Sequence, residues 1–284
     1  MNRELFNELI DAALKEDIGS GDHSTLSCIP KDKMGKAELK IKQGGILAGM
    51  EVAMMIFEKV EPSAVFSAFK KDGDAMVIGE KAFEVSATIY TILTCERLVL
   101  NCMQRMSGIA TLTNQYTQKL LGYTTKLLDT RKTTPNFRLL EKEAVRIGGG
   151  TNHRFGLYDM MMLKDNHIDY AGGLETAINK AYEYTLVNNL PIKIEVETRN
   201  LQDVEKVCSI GKGKVFRIML DNFTPAQITE ALQLIKGAYE TEASGGINLQ
   251  TIESFAATGV DYVSVGGLIH QAQSLDLSLK AVII

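Results

Sequence analysis

Two basic residues, Arg131 and Lys132, directly follow a predicted strand at 126–130 that contains the apolar pair Leu127-Leu128. A guanidinium binds a carboxylate through two parallel hydrogen bonds, and an ammonium adds a compact positive charge. Side chains in this position, at the end of a strand, can bind an anionic small molecule. The alternative is that both residues form ion pairs that close the end of the sheet.

Three further cations, Arg138, Lys142 and Arg146, recur at four-residue intervals. This spacing places them on one face of a helix. A solvated helix face explains them without any ligand, so they are weaker candidates than Arg131 and Lys132.

Three consecutive glycines at 148–150 precede Thr151-Asn152-His153-Arg154. Glycines allow positive φ and close approach of the backbone to a ligand, and a helix end accounts for one of them more easily than for three. His153 and Arg154 can donate hydrogen bonds to an anion beside this loop. The alternative for His153 is a structural histidine whose partners lie within the protein.

Three carboxylates form another candidate group. Glu195 and Glu197 lie two residues apart in a predicted strand at 192–197 and therefore on the same face of it, while Asp221 follows the predicted strand at 215–220. Carboxylates at neighbouring strand ends can hold Mg²⁺ through water or bind sugar hydroxyls. Glu197 lies nearer the strand end and is the preferred functional residue; for Asp221 the alternative is a helix N-cap.

Two glycine-rich turns directly follow the last two predicted strands: Ser244-Gly245-Gly246 and Gly266-Gly267. Such turns expose backbone N–H groups that can bind phosphate, and a phosphate site after the last two strands recurs in α/β barrels. Ordinary tight turns are the alternative.

These candidate residues can form one site only in an architecture that brings the strand ends together. The second part of the chain alternates predicted strands and helices, as such an architecture requires. The predicted strands are 126–130, 160–163, 192–197, 215–220, 239–243 and 262–265, and the predicted helices are 137–147, 174–187, 224–236 and 248–257. This alternation is typical of a parallel sheet or barrel, with the active site at the carboxyl ends of the strands. A seventh or eighth strand is not evident.

The first part of the chain has a different pattern. The spacing of apolar residues predicts a helix over 4–16 and another over 50–60, and the predicted strands are 37–42, 65–70 and 82–89. A long helix is predicted from Thr94, as its cap, to about Leu121. Strands and helices without strict alternation indicate an α+β layer.

The composition excludes several classes of protein. A net charge of −4 and 23% charged residues give no general attraction to nucleic acid or membranes. The four cysteines form no CxxC pair, which argues against a zinc site and favours a reducing compartment. The N-terminal segment has no apolar signal core, and no apolar run is long enough to span a membrane. The residues alone thus predict a cytoplasmic barrel enzyme that acts on a phosphorylated, anionic small molecule.

Several motifs make the assignment more specific. They are Leu128-Asp129-Thr130-Arg131-Lys132-Thr133-Thr134-Pro135, Gly148-Gly149-Gly150-Thr151-Asn152-His153-Arg154, Leu163-Lys164-Asp165-Asn166-His167, Glu96-Arg97-Leu98, Ser107-Gly108-Ile109-Ala110-Thr111, Glu195-Val196-Glu197, Leu220-Asp221-Asn222-Phe223, Glu242-Ala243-Ser244-Gly245-Gly246-Ile247 and Ser264-Val265-Gly266. In order and approximate spacing they resemble the quinolinate phosphoribosyltransferase family, from Glu16 to near Ser278.

The resemblance implies an α/β fold: an N-terminal α/β sandwich over 1–112, then an incomplete parallel α/β barrel of about seven strands over 113–273. The tail at 274–284 is expected to pack back on the first domain. The family implies a homo-oligomer, with a dimer as minimal unit and a hexamer as a larger form. In that dimer the partner's first domain covers each barrel.

The resemblance also assigns site residues. Quinolinate would be bound by Arg131, Lys132, His153, Arg154 and, from the neighbouring subunit, Arg97. The phosphoribosyl group would be bound by Lys164, Glu197, Asp221, Ser244, Gly245, Gly246, Gly266, Gly267 and His270. The catalytic residues would be Lys132, Lys164, Glu197 and Asp221, with Mg²⁺ as cofactor near Glu197 and Asp221 through water.

The implied reaction joins quinolinate to 5-phosphoribosyl 1-pyrophosphate, with loss of pyrophosphate and CO₂, to form nicotinate mononucleotide in NAD biosynthesis. Two departures from the family pattern stand out. The interval between Glu197 and Asp221 is longer, around 211–213, and Gly267 replaces a different small residue, which weakens its assignment.

Three alternatives stay open at this point. A nicotinate phosphoribosyltransferase would need fewer cations for its monoacid than the five basic candidates here. A molybdenum-operon paralogue would act on another substrate, and a non-catalytic phosphometabolite-binding paralogue would have no need for Lys132, Lys164, Glu197 and Asp221 together.

Overall fold

The computed structural model describes residues 2–282, which divide into two compact units. The first unit comprises the described residues up to Asn114, together with Thr133–Gly149 and the C-terminal residues from Leu268. The second unit comprises Gln115–Lys132 and Gly150–Gly267. Within the described residues, no helix combines the length and apolar character that a membrane span requires.

The first part of the chain contains helices and mostly short strands. They are α1 (Arg3–Ile18), α2 (His23–Cys28), β1 (Met34–Ile41), β2 (Gly45–Ile46), α3 (Met50–Val60), β3 (Val65–Ala68), β4 (Ala75–Met76), β5 (Lys81–Thr88) and α4 (Ile89–Lys119). The first unit also contains α5 (Arg138–Ile147) and the C-terminal strand; α11 (Gly267–His270) and β12 (Leu277–Val282) end the chain's regular structure.

The sheet of the first unit has the order β12-β1-β5-β3, and all its neighbouring strands are antiparallel. The C-terminal strand β12 therefore pairs with β1 over six residues. Alternate residues of β1 are buried, among them Leu39 and Ile41. Phe83 of β5 contacts Phe57 of α3 edge to face, with ring centroids 6.3 Å apart, so the apolar face of α3 covers this sheet.

One buried ion pair ties the separated segments of the first unit together. Arg105 on α4 donates to the carboxylate of the fully buried Glu141 on α5 at 2.9 Å. The same guanidinium donates to the backbone carbonyls of Ile269 and Ala272, and Glu141 also accepts from the Thr134 N–H. These bonds hold 133–149 and the C-terminal segment against α4.

The second part of the chain alternates strands with helices. In order these are β6 (Lys126–Leu128), β7 (Met161–Leu163), α6 (Asp165–Ala171), α7 (Leu174–Val187), β8 (Ile194–Thr198), α8 (Leu201–Ile210), β9 (Arg217–Asp221), α9 (Pro225–Ile235), β10 (Glu240–Ser244), α10 (Ile252–Ala256) and β11 (Tyr262–Ser264). The six strands form one sheet of order β6-β11-β10-β9-β8-β7, parallel throughout.

The α/β class and all six strands of the second part are as the sequence predicts. An isolated parallel bridge between Leu128 and Thr151 lies on the free side of β6 and extends the sheet by a single residue pair. Closure into an incomplete barrel stays a prediction, and the described strands of this sheet number six.

Two local predictions are wrong. Thr94 does not cap the long helix, because α4 starts at Ile89 and buries Thr94 in its interior. The helix α5 is not a uniformly solvated basic face either. Lys142 is only 2% exposed and Arg138 donates to Thr133 Oγ1, whereas Arg146 is exposed and pairs with Glu143.

Candidate active site

Charged side chains line one face of the parallel sheet. Because side chains alternate along a strand, Glu195 and Glu197 of β8 point to the same face. Arg217 of β9 pairs in register with Glu195, and its Nη1 atom lies 3.1 Å from Glu242 Oε2 on β10. The charged side chains of β8, β9 and β10 therefore lie together on one face of the sheet. Glu197 and Asp221 lie on it nearer the carboxyl ends of their strands, where α/β enzymes hold their active sites.

Lys164, Glu197 and Asp221 form a cluster at this end. Lys164 follows β7, and its Nζ atom lies 3.1 Å from Oε2 of the buried Glu197. Burial and, next, the negative charge of Glu197 raise the pKa of Asp221, so the two carboxylates lie close enough to repel each other. Such a pair fits a divalent cation, because oxygen ligands and unbalanced negative charge are what Mg²⁺ requires.

The glycine turn after β10 is packed against the turn after β9. Gly245 has φ +98°, and a Cβ atom there would lie 2.2 Å from Asn222 Oδ1. The Asn222 N–H donates to the Ser244 carbonyl at 2.8 Å, and the Asn222 amide donates to Asp221. Only glycine fits at position 245, and the close packing fixes Asp221. The helix α9 is capped by Thr224 and not by Asp221, so the capping alternative is wrong.

The second glycine turn is less distinctive. Gly266 follows β11, and Gly267 begins the short helix α11. Neither glycine has positive φ. Their backbone conformation is open to other residues, in contrast to that of Gly245.

Arg131 and Arg154 lie near each other, and Glu195 and Asp159 only partly offset the charge of Arg131 on Arg154. Burial and, next, the positive charge of Arg131 lower the pKa of Arg154. The Arg131 Nε atom is buried and has no hydrogen-bond partner among the described residues. Two neighbouring guanidiniums with unused donors are suited to bind a dianion. Lys132, next in the chain, is exposed.

The segment after Arg154 is held in a fixed shape. The Asp159 carboxylate accepts from the backbone N–H groups of Phe155 and Gly156 at 2.6 and 2.8 Å. The Arg154 guanidinium donates to the carbonyl of Met160 at 3.2 Å and contacts the sulfur of Met162. The direction of this guanidinium is therefore set by the segment that follows it.

His153 is buried within the charged interior. Its Nε2 atom lies 3.1 Å from Oε2 of Glu195 and 3.1 Å from Oε2 of Glu242. Thr151, two residues earlier, lies beside β6, and a flat sheet would hold β6 and β8 about 19 Å apart at the usual strand spacing. One imidazole can reach both β8 and β10 only because the sheet is strongly curved.

The buried cluster of His153, Glu195, Glu242 and Arg217 favours the binding of a proton. Burial and the charge of Glu242 raise the pKa of Glu195 to about 7. Burial acts to lower the pKa of His153, and the two carboxylates act to raise it. His153 Nδ1 already accepts the N–H of Arg154 at 2.6 Å, so a proton shared by the two carboxyls fits the geometry better than a second ring proton.

The structure brings several predicted site residues together, in the two groups Arg131 with Arg154 and Lys164 with Glu197 and Asp221. Arg97 and His270 are exposed and belong to the first unit.

Three residues of the site, Asp129, Arg217 and Glu242, were not predicted from the sequence. Asp129 accepts the His153 N–H at 2.7 Å. The signal for Glu242 was its position two residues after Glu240, on the same face of a predicted strand.

Comparisons with known proteins agree along nearly the whole chain. The family described as "Quinolinate phosphoribosyl transferase, N-terminal domain" matches residues 22–107, and the corresponding "C-terminal domain" matches 109–280. A Nicotiana tabacum protein named "Quinolinate phosphoribosyltransferase [decarboxylating] 2b, mitochondrial" is 43% identical, over 96% of this chain and 81% of the tobacco protein.

An Arabidopsis thaliana protein named "Nicotinate-nucleotide pyrophosphorylase [carboxylating], chloroplastic" is also 43% identical, with the same coverage. Among solved structures, NadC from Streptococcus pyogenes has a TM-score of 0.91 and 40% identity, and covers 100% of this chain and 99% of its own. Human nicotinic acid phosphoribosyltransferase has a TM-score of 0.63 at 13% identity over 97% of this chain and 74% of its own, a likeness of fold alone.

Proposed function

The chain belongs to the quinolinate phosphoribosyltransferase family, and from that premise we propose how its side chains carry out the reaction. It is a decarboxylating quinolinate phosphoribosyltransferase of NAD biosynthesis, a pentosyltransferase. Quinolinate and 5-phosphoribosyl 1-pyrophosphate give nicotinate mononucleotide, pyrophosphate and CO₂.

Arg131, Lys132 and Arg154 bind the two carboxylates of quinolinate, together with Arg97 from a neighbouring subunit. The observation that carries this assignment is the proximity of Arg131 and Arg154, which together with burial lowers the pKa of Arg154. The Arg131 Nε atom is also buried and has no hydrogen-bond partner among the described residues. A bound dianion would balance both charges and accept from these donors. His153 belongs to the same site and has the role argued below.

Lys164, Glu197 and Asp221 bind the phosphoribosyl donor at the carboxyl ends of β7, β8 and β9. The ribose 5′-phosphate binds at Ser244, Gly245 and Gly246, with Gly266, Gly267 and His270 as further contacts. Positive φ at Gly245 and Gly246 supports this assignment, since it allows backbone N–H groups to point at an anion.

Glu197 and Asp221 would hold Mg²⁺, directly or through water, and the ion would neutralise the negative charge of the pyrophosphate. Their mutual repulsion, seen in the raised pKa of Asp221, supports a bound cation here. Lys164 balances part of that charge when it lies 3.1 Å from Glu197.

The chemistry follows from charge and orientation. The pyridine nitrogen attacks the anomeric carbon of the ribose while the bond to pyrophosphate breaks, and positive charge develops on the sugar. The Glu197 and Asp221 carboxylates stabilise that charge. Arg131 and Arg154 hold the substrate so that its nitrogen faces the sugar. The resulting pyridinium withdraws electrons, so the 2-carboxylate leaves as CO₂ and the electron pair of the broken C–C bond stays on C2. A proton from solvent then binds to C2 and completes nicotinate mononucleotide.

We further propose that the protein is a homodimer or a larger assembly of dimers and works in the cytoplasm. The four cysteines, all within the described residues, are free thiols. Burial raises the pKa of Cys95 and of Cys102 to about 12, so both stay protonated. Free thiols support a reducing compartment.

A direct assay tests the assignment. Protein, Mg²⁺, quinolinate and phosphoribosyl pyrophosphate are mixed, and nicotinate mononucleotide and CO₂ are measured, with nicotinate as the matched competing substrate. We expect product from quinolinate only. Turnover of nicotinate would favour a nicotinate phosphoribosyltransferase, and quinolinate binding in titration calorimetry without turnover would favour a non-catalytic protein.

A further inference from the structure

Four buried residues form a continuous chain of contacts inside the second unit, which we call the histidine column: Arg217, Glu242, Glu195 and His153. Arg217 lies at the start of β9, 3.1 Å from Glu242, and its guanidinium stacks on Tyr262 at 4.2 Å. Both carboxylates lie 3.1 Å from His153 Nε2. The column therefore runs from the amino ends of the strands to the segment that carries Arg154.

Both ring nitrogens of His153 face protein groups. Nδ1 accepts the backbone N–H of Arg154 at 2.6 Å and therefore carries no proton. The ring proton lies on Nε2, 3.1 Å from one oxygen of Glu195 and of Glu242, whose negative charge attracts it. The imidazole side chain is 4% exposed. Its N–H thus faces carboxylates of the protein and not a carboxylate of a ligand.

The bond at Nδ1 connects the column to the substrate-binding cation. The Arg154 backbone is held at its N–H by His153, and its guanidinium is held by the Met160 carbonyl and the Met162 sulfur. A rotated imidazole would release the backbone end of this arrangement. The position of the guanidinium therefore depends on the orientation of a ring that two carboxylates fix.

We propose that His153 is a positioning residue and not a direct ligand of quinolinate: Glu195 and Glu242 fix its ring, and the ring holds Arg154 in the conformation that binds a substrate carboxylate. This inference rests on the proposed function, which assigns quinolinate binding to Arg154. It makes Glu195 and Glu242 determinants of quinolinate affinity although neither contacts the substrate.

A metal ion is the competing explanation for the same atoms, because one ligand atom each from His153, Glu195 and Glu242 lie within 4.8 Å of one another. The guanidinium of Arg217, 3.1 Å from Glu242 and 4.0 Å from Glu195, already supplies positive charge there. A divalent cation would be repelled by it, so the column works with an arginine in place of a metal.

Kinetics of two isosteric variants test the proposal. In Glu242→Gln and Glu195→Gln an amide replaces an obligate acceptor, and the imidazole loses its fixed orientation. We expect KM for quinolinate to rise at least about fivefold, while KM for phosphoribosyl pyrophosphate and kcat change less than about twofold. The matched control is Glu240→Gln, which removes a 2.8 Å partner of Arg217 outside the column and should leave all constants near wild type.

Nitrogen NMR of the wild-type protein provides a test in which the two carboxylates stay in place. The chain has four histidines, and the His153 signal is identified by its loss in His153→Asn. We expect Nε2 protonated and Nδ1 unprotonated, with no change of tautomer when quinolinate is added. A change of tautomer or a second ring proton on addition of quinolinate would show direct contact and overturn the proposal.

The outcomes separate this inference from the proposed function. If wild-type protein makes no nicotinate mononucleotide, the function itself is wrong. If the wild type turns over but folded Glu242→Gln and Glu195→Gln, with melting temperatures near wild type, keep their KM for quinolinate, only the positioning role is wrong. Stoichiometric zinc or another transition metal in the purified protein would show that His153, Glu195 and Glu242 form a metal site, and would overturn the positioning role.

Discussion

At the scale of single residues, the site is organised by charges that the protein itself leaves unbalanced. Arg131 and Arg154 are close enough that one lowers the pKa of the other. Glu197 likewise raises the pKa of Asp221. Each of these like-charged pairs costs free energy in the unliganded protein, and each is relieved by a ligand of opposite charge. The cationic pair suits a dicarboxylate, and the anionic pair suits a metal ion with its pyrophosphate.

Replacement of the cations should therefore reduce catalysis strongly. We expect Arg131→Ala and Lys132→Ala to lower kcat/KM for quinolinate at least about tenfold, because losing one charged contact costs at least about 1.4 kcal/mol. Arg131→Lys should recover only part of the loss, since an ammonium cannot form two parallel hydrogen bonds.

The control for these variants is Arg146→Ala. The Arg146 side chain is 64% exposed, and it forms an ion pair with Glu143, which lies one turn earlier on α5. Steady-state kinetics should find its constants within about twofold of wild type. A wild-type rate in Arg131→Ala or Lys132→Ala would remove the basis of the dicarboxylate assignment.

The extra proton of the histidine column makes stability depend on pH. The folded-state pKa of Glu195, about 7, lies above its ordinary value of 4.5. The folded protein therefore binds the proton more tightly than the unfolded chain does. This contribution is fully present below the ordinary value of 4.5 and is lost as pH rises through about 7.

The measurement is thermal unfolding between pH 6 and 9.5, followed for wild type and Glu242→Gln in the same buffers. We expect the wild-type melting temperature to fall across this range and the variant to show a flatter dependence, because it has one carboxylate fewer to hold the proton. Equal slopes in both proteins would mean that the column does not bind an extra proton.

At the scale of helices and strands, the sequence predicts most of what carries the site. Each of the six parallel strands was predicted within three residues of its bounds, because buried strands have short apolar runs ended by polar residues. The contact of His153 with Glu242 could not be predicted, since it depends on the curvature of the whole sheet. The strand β12 was not predicted either, because its pairing with β1 joins opposite ends of the chain.

The turn after β10 offers a test at this scale with a matched pair of glycines. Gly245→Ala places a Cβ atom 2.2 Å from Asn222 Oδ1 at φ +98°, whereas Gly246→Ala has φ +65° and nothing within 4 Å. We expect Gly246→Ala to cost about 1 kcal/mol of unfolding free energy from backbone strain, and Gly245→Ala to cost about 1–3 kcal/mol more.

Urea unfolding gives the two free energies, and kinetics give the effect on the phosphate site. KM for phosphoribosyl pyrophosphate should rise more in Gly245→Ala, because its clash moves the turn that fixes Asp221. Equal costs for the two variants would show that the packing against Asn222 does not determine the turn.

At the scale of the whole molecule, the proposed quinolinate site draws on more than one subunit. Arg131, Lys132 and Arg154 belong to the second unit, whereas Arg97 is an exposed residue on α4. An exposed arginine without an ion pair among the described residues is available to a partner subunit. If it serves the partner's site, each site of a two-fold dimer contains residues from both chains, and a monomer should be nearly inactive.

Subunit complementation tests this arrangement. Arg97→Ala and Arg131→Ala should each be nearly inactive alone. After unfolding and refolding of an equal mixture, half of the dimers should be mixed, and each mixed dimer has one site with both arginines intact, so about a quarter of wild-type activity should return.

A mixture of Arg131→Ala with Lys132→Ala is the matched control, because both substitutions affect the same subunit's contribution and every site stays defective. Recovery in the first mixture and none in the second would require that Arg97 acts across the interface; no recovery in either would place Arg97 in its own subunit's site or outside the site altogether.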